Sequence, residues 1–239
     1  YQAARRIVRN VMEGAGLYQA VTYSLTSEEA SQKFALKAEE TTKLLMPMSE
    51  ERSTLRQSLI PHLVEAAAYN VARQADTVAL YEIGSVFLGQ TAEELPFEEE
   101  HVALVLTGKW IDNAWQGEKK NVDFFVAKGI IEALFEKLGL AERVTYVKAT
   151  IDGLHPGRTA EIQLDGVKVG IIGQLHPVEQ KKSGVKEAYV AELSLHAILA
   201  ATTEVLVYSV VPRFPVMTRD IALELDSSVP AGEIVSIIR

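Results

Sequence analysis

Leu164-Asp165-Gly166-Val167 lies between two runs of alternating apolar residues. Asp-Gly in that position predicts a two-residue hairpin, because a type I′ turn requires positive φ at both central residues. So short a turn joins antiparallel strands and fixes their register, starting from Leu164 opposite Val167. Stepping outward, Ala160, Ile162 and Leu164 share a face with Val167, Val169 and Ile171. Carried further, the same register sets His155 opposite His176, although Pro156 and Pro177 cannot donate ladder hydrogen bonds.

Other strands read from β-branched and aromatic content run from Tyr18 to Leu25, Thr42 to Met46, Val78 to Leu88, His101 to Thr107 and Asp220 to Leu225. Helical spacing marks Ile7, Val8, Val11 and Ala15, with Gly14 and Gly16 closing the run. Thr26 or Ser27 caps a short helix whose first turn is acidic. Leu59, Leu63, Val64, Ala67 and Val71 predict a longer helix with Pro61 in its first turn. Ala127, Ile130, Ile131 and Leu134 predict another over Asp123 to Leu138, and Ser228 can cap a last one. TAEELPFEEE, between two strands, reads as an acidic solvated loop. Strands and helices are interspersed without a regular βαβ cadence. The fold class this predicts is α+β, an antiparallel sheet flanked by helices. Pro212 and Pro215 punctuate a boundary, giving a main module over 1–208 and a separate piece over 209–239.

Composition narrows the chemistry. The 239 residues are 48% hydrophobic and 23% charged, enough for a real core, and no apolar run approaches the roughly 20 residues that cross a bilayer. The absence of cysteine removes disulfides and thiol nucleophiles, which fits a cytoplasmic protein. A net charge of −8 argues against a free-standing nucleic-acid binder. Tyr1 opens directly into an arginine-bearing helical pattern and GEIVSIIR closes on a helix just starting, so the chain reads as part of a longer protein. Neither GxxxxGK[ST] nor a GxGxxG after a strand is present, and there is no Gly-x-Ser-x-Gly elbow. His155, His176 and nearby Glu161 fall short of a metal site, which needs three or four convergent ligands. His62 stands in the first turn of a helix, His101 begins a strand, and His196 is isolated.

One run redirects the reading: STLRQSLIPHLVEAAAYNVARQADTVALYEIGSVFLG, Ser53 to Gly89. Its Leu-Arg-x-x-Leu helix leading to a Phe-ending strand resembles the motif 2 region of class II aminoacyl-tRNA synthetases, most closely the β chains of bacterial phenylalanyl-tRNA synthetases. GLYQAVTYSL, VDFFVAKGIIEALFEKLG, LHPGRTAEI, GIIGQLHP and PRFPVMTRDIALELD add to the resemblance, in order along the chain. It implies a class II sheet over the main module and the truncated start of a ferredoxin-like anticodon-binding domain after it.

The same resemblance implies that the site is degenerate. A working motif 2 carries Phe-Arg-x-Glu, whose arginine holds the ATP α-phosphate; the aligned residues here are Phe87, Leu88, Gly89 and Gln90. Leucine supplies no guanidinium fork, and LSLHAILAATTEVLVYS lacks the glycine and arginine of motif 3. The implied role is a non-catalytic scaffold that binds no cofactor, inside a ligase using ATP and magnesium, with the α subunit and phenylalanine tRNA as partners. The first helix and the strand from Leu17 to Leu25 are expected to face the α subunit. Arg56 is expected to pair with Glu82, and His155, Arg158 and His176 to have structural or interface roles. The alternative is a small-molecule-binding or regulatory module reusing the retired fold.

Overall fold

The computed structural model describes residues 2–89, 95–202, 208, 210–211, 213–226 and 229–238. The described residues fall into two compact units, Tyr1–Thr203 and Glu204–Arg239.

The first unit opens with α1 (Gln2–Gly14), followed by β1 (Tyr18–Gln19), β2 (Leu25–Thr26) and α2 (Glu28–Ser31). Ser27 caps α2, its hydroxyl accepting from the Ala30 N–H. Next come β3 (Thr54–Leu55), α3 (Ile60–Val71), β4 (Thr77–Leu88), β5 (Phe97–Asn113), β6 (Glu118–Asn121) and α4 (Phe124–Lys137). Asp123 caps α4 by accepting from Val126 N–H at 2.7 Å. The unit closes with β7 (Val144–Lys148), β8 (Leu154–Leu164), β9 (Val167–Leu175), α5 (Pro177–Ser183), β10 (Tyr189–Ser194) and α6 (Leu195–Ala201).

One eight-stranded sheet runs in the order β1-β4-β5-β10-β9-β8-β7, with β6 paired to β5. Among the described residues, only β1 lies parallel to its neighbour in this sheet, β4; the other pairs are antiparallel. Helices cover both faces, which is why the central strands are apolar on both sides. Val102, Leu104 and Leu106 of β5 pack with Met12 of α1 and Ile131 of α4, whereas Ala103 and Val105 pack with Leu63 and Ala67 of α3.

The hairpin turn forms as expected, with φ of 52° at Asp165 and 78° at Gly166. Its register does not extend. Leu164 opposes Val167 and Gln163 opposes Lys168, but Ile162 then opposes Gly170, so Val169 is the extra residue of a bulge. Val169 therefore packs on the α1 side while Ile171 crosses to the α3 core, and Val167 stays 65% exposed. A second shift brings Leu154 opposite Leu175, so the His176 N–H donates to the carbonyl of Gly153 and His176 does not stand opposite His155.

Four other expectations are corrected. Tyr18 to Leu25 is two short strands, not one, and Thr42 to Met46 makes a single bridge, Lys43 to Thr54. The acidic stretch is not all loop: Phe97 to Glu100 belong to β5 and pair with Leu88 to Ser85, because β4 extends far enough to give them partners. In the second unit Asp220 to Leu225 is not a strand, since none of the described residues there offers a ladder to complete its backbone hydrogen bonds. The helix that follows, α7 (Ala231–Ile238), is present; Ser228 lies outside the described residues.

Gly108 lets β5 turn from the sheet into its hairpin with β6. Its φ is +86°, and a Cβ there would stand 2.1 Å from the Asp76 carbonyl oxygen. Gly108→Ala is expected to lower stability by about 2–4 kcal/mol, combining left-handed strain with a backbone clash. Urea unfolding checks this; a loss under ~0.5 kcal/mol would mean the strand end shifts freely.

Candidate functional site

Side chains alternate along strands, so Glu82 and Leu88 of β4, Glu99 and His101 of β5, and Glu192 and Ser194 of β10 all project from the α3 face of the sheet. Above them runs the segment from Leu55 to Pro61, which leads into α3.

Arg56 anchors the first half of this segment. Its guanidinium meets Glu82 at 2.9 Å, with both side chains almost fully buried. Nε donates to the Ser85 carbonyl at 3.1 Å, and Nη1 donates to Thr22 Oγ1 at 2.8 Å. The Thr22 hydroxyl in turn donates to Glu82 Oε2 at 2.6 Å. Gly84 makes room for the fork: a Cβ there would stand 2.5 Å from Arg56 Nη2. The structure thus brings Arg56 and Glu82 together, with every charge of the pair engaged internally.

The second half is anchored by Glu192, which is fully buried. Its carboxylate accepts from Ser58 Oγ at 2.6 Å and from the Leu59 N–H at 3.2 Å. His101 Nδ1 approaches the same carboxylate at 2.7 Å, while His101 Nε2 lies 3.6 Å from Glu99. Glu99 also accepts from the Ser194 hydroxyl. Burial disfavours the charged His101 ring, but its hydrogen bond to Glu192 and the close Glu99 carboxylate outweigh that and raise its pKa to about 9. His101 in turn holds Glu99 below the usual carboxylate range. The two carboxylates stand at different nitrogens of one ring, and among the described residues no group of side chains converges on a metal ion.

A cavity of ≈ 170 Å³ abuts this cluster, lined by Gln57, Leu88, Glu99, His101 and Ser194 among others. Leu88 lines it from β4. The nearest buried arginine, Arg56, is committed to Glu82. Phe87 is held by its N–H donating to the Arg56 carbonyl at 2.9 Å, Gly89 has a φ of +62°, and Gln90 lies outside the described residues. The β10–α6 junction presents Ser194, whose hydroxyl caps α6 through the Ala197 N–H at 3.0 Å. Two lysines, Lys37 and Lys168, also line the cavity, and each is paired with a carboxylate, Lys37 with Glu39 and Lys168 with Glu161 at 3.3 Å.

The histidines of the His-Pro pairs are local caps. His155 Nδ1 accepts from the Gly157 N–H at 3.1 Å, and His176 Nδ1 accepts from the Val178 N–H at 3.2 Å at the start of α5. Arg158 donates to Gln174 Oε1 at 2.8 Å. His62, in the first turn of α3, faces Arg52 at 2.9 Å. Burial, then the charges of Arg52 and Arg56, lower its pKa to about 4. His101 does not begin a strand: it sits within β5 at the centre of the cluster. The signal for it was Glu192, a lone charge in the apolar run YVAELS.

Residues 1–195 match the family model described as the phenylalanyl tRNA synthetase beta chain CLM domain. The chain belongs to that family. The phenylalanine–tRNA ligase beta subunit of Geobacillus kaustophilus (strain HTA426) is 57% identical over 97% of this chain, and that of Bacillus subtilis (strain 168) is 53% identical over 100% of it. The chain spans only 29% and 30% of the length of these two family members. Its architecture is that of class II synthetases: a solved pyrrolysyl tRNA synthetase, PylSc of Desulfitobacterium hafniense, superposes with a TM-score of 0.60. At 16% identity, over 83% of this chain and 65% of that one, this likeness speaks for the fold alone. Among the described residues, no helix is long and apolar enough to cross a membrane.

Proposed function

We propose that this chain is the class II synthetase-like module of a phenylalanine–tRNA ligase β subunit, acting in the cytoplasm as a non-catalytic scaffold. It supports an α subunit that carries out the attachment of phenylalanine to its tRNA, and the ATP and magnesium of that reaction belong to the α subunit. The observation that carries the reading is Leu88 on the site face, with Arg56 tied to Glu82 and, among the described residues, the two lysines that line the cavity, Lys37 and Lys168, paired with Glu39 and Glu161. Transition-state stabilisation at an α-phosphate then has no source in this module. Residues 209–239 are read as the start of an anticodon-binding domain of ferredoxin-like class.

The face offered to the α subunit is α1 with the stretch from Leu17 to Leu25. Supporting this, Tyr18, Val21 and Tyr23 are 76%, 89% and 70% exposed, more apolar surface than so short a segment leaves bare without a partner. Size-exclusion chromatography with light scattering, on the chain alone and mixed with a bacterial α subunit, tests the reading. A defined complex is expected, together with no calorimetric signal for ATP on the isolated chain. Micromolar ATP binding would overturn the non-catalytic part, and separate elution of folded chains would overturn the docking part.

A further inference from the structure

α3 begins with backbone N–H groups that no helical carbonyl can satisfy. Pro61 removes one such donor, and Ser58 Oγ accepts from Ile60 N–H at 3.1 Å. The Leu59 N–H goes to Glu192, a residue of β10 that is distant in sequence. Ser58 donates its hydroxyl proton to the same carboxylate, and the His101 ring stands against it at 2.7 Å. An N–H at a helix start, a hydroxyl and an imidazolium together make a receptor for one small anion. Glu192 holds it with no exposure to solvent.

We infer that the Glu192 carboxylate is a tethered internal ligand, filling an anion site built by the start of α3, Ser58 and His101. A small free carboxylate takes its place when that side chain is removed. The neighbouring cavity of ≈ 170 Å³, which His101 also lines, gives such a carboxylate a way in. This goes beyond the scaffold reading and stands without it: the same geometry would close the site whatever the parent protein does.

The test is Glu192→Ala in the full chain, melted with and without formate, acetate or chloride at matched ionic strength. The variant is expected to melt about 10 °C below the parent, as a broken buried ion pair does in a domain of this size. Formate or acetate in the tens of millimolar is expected to recover about half of that loss saturably, through mass action on the folded state. Chloride should not, and the parent chain should move by under ~1 °C. A folded variant that no carboxylate rescues would overturn the inference, as would equal stabilisation of the parent. Should Glu192→Ala fail to fold, Glu192→Gln keeps the shape and removes the charge. His101 should then titrate well below its present value of about 9, read by histidine ring NMR, and an unchanged titration would equally overturn it.

Discussion

Arg56→Ala is expected to destabilise the folded chain by about 3–5 kcal/mol in urea unfolding, the cost of leaving a buried carboxylate without its partner. Glu82 would keep only the Thr22 contacts, its side chain remaining almost wholly out of water. Arg56→Lys should lose most of the same energy. One ammonium cannot reach Glu82, the Ser85 carbonyl and Thr22 together, as the planar fork does. The double variant Arg56→Met with Glu82→Gln should recover more than half of the loss, because it removes the charge that the single change strands. A double-mutant cycle measures the coupling directly. A cost below ~1 kcal/mol for Arg56→Ala would show that water reaches the pair, and the picture of a closed, internally neutralised face would fall with it.

The same pair shows what could be read from the chain before its structure. Leu-Arg-x-x-Leu ahead of an α-helix, and a lone glutamate in TVALYEIGSVFL, each mark a charge where packing wants none; both charges demand partners, and the resemblance says where to look. Helices with strong apolar spacing and clear caps, such as α4 with Asp123 and Gly139, are legible because every local signal agrees. Register was not. The turn at Asp165-Gly166 sets only the first pairs. The bulge at Val169 answers to a tertiary demand: Gly170 lies against β10, where a Cβ would be 2.3 Å from Leu193 Cδ2 and 2.6 Å from the Glu192 carbonyl. No local rule announces that demand. Thr42 to Met46 failed for a related reason, since strand propensity means little without a neighbour to complete the ladder. The His101 cluster escaped because its members come from distant parts of the chain, and an acidic run such as EEEH looks like a solvated loop until β4 pairs with it.

Stability should peak near pH 6.5 and fall on both sides, because two buried histidines are perturbed in opposite directions. His101 titrates at about 9 in the fold against roughly 6.5 unfolded, so folding takes up a proton between those values. Its contribution is complete below pH ~6.5 and is lost as pH rises through 9, a total of roughly 3 kcal/mol at 1.4 kcal/mol per unit. The groups that set this are Glu192 from β10 and Glu99 from its own strand, with Ser58 and Ser194 holding the two carboxylates. His62 runs the other way. Its pKa of about 4 means that the fold keeps it neutral beside Arg52 and Arg56, so its contribution is present above ~6.5 and lost as pH falls toward 4. Urea midpoints taken from pH 4.5 to 9.5 would trace the dome. The discriminating comparison is His101→Gln, which should be less stable than the parent at pH 6 and should close most of the gap by pH 9.5. Parallel curves for the two proteins across that range would mean that His101 carries no proton into the fold. The carboxylates of Glu99 and Glu192 would then have to be held by their hydroxyl and backbone donors alone.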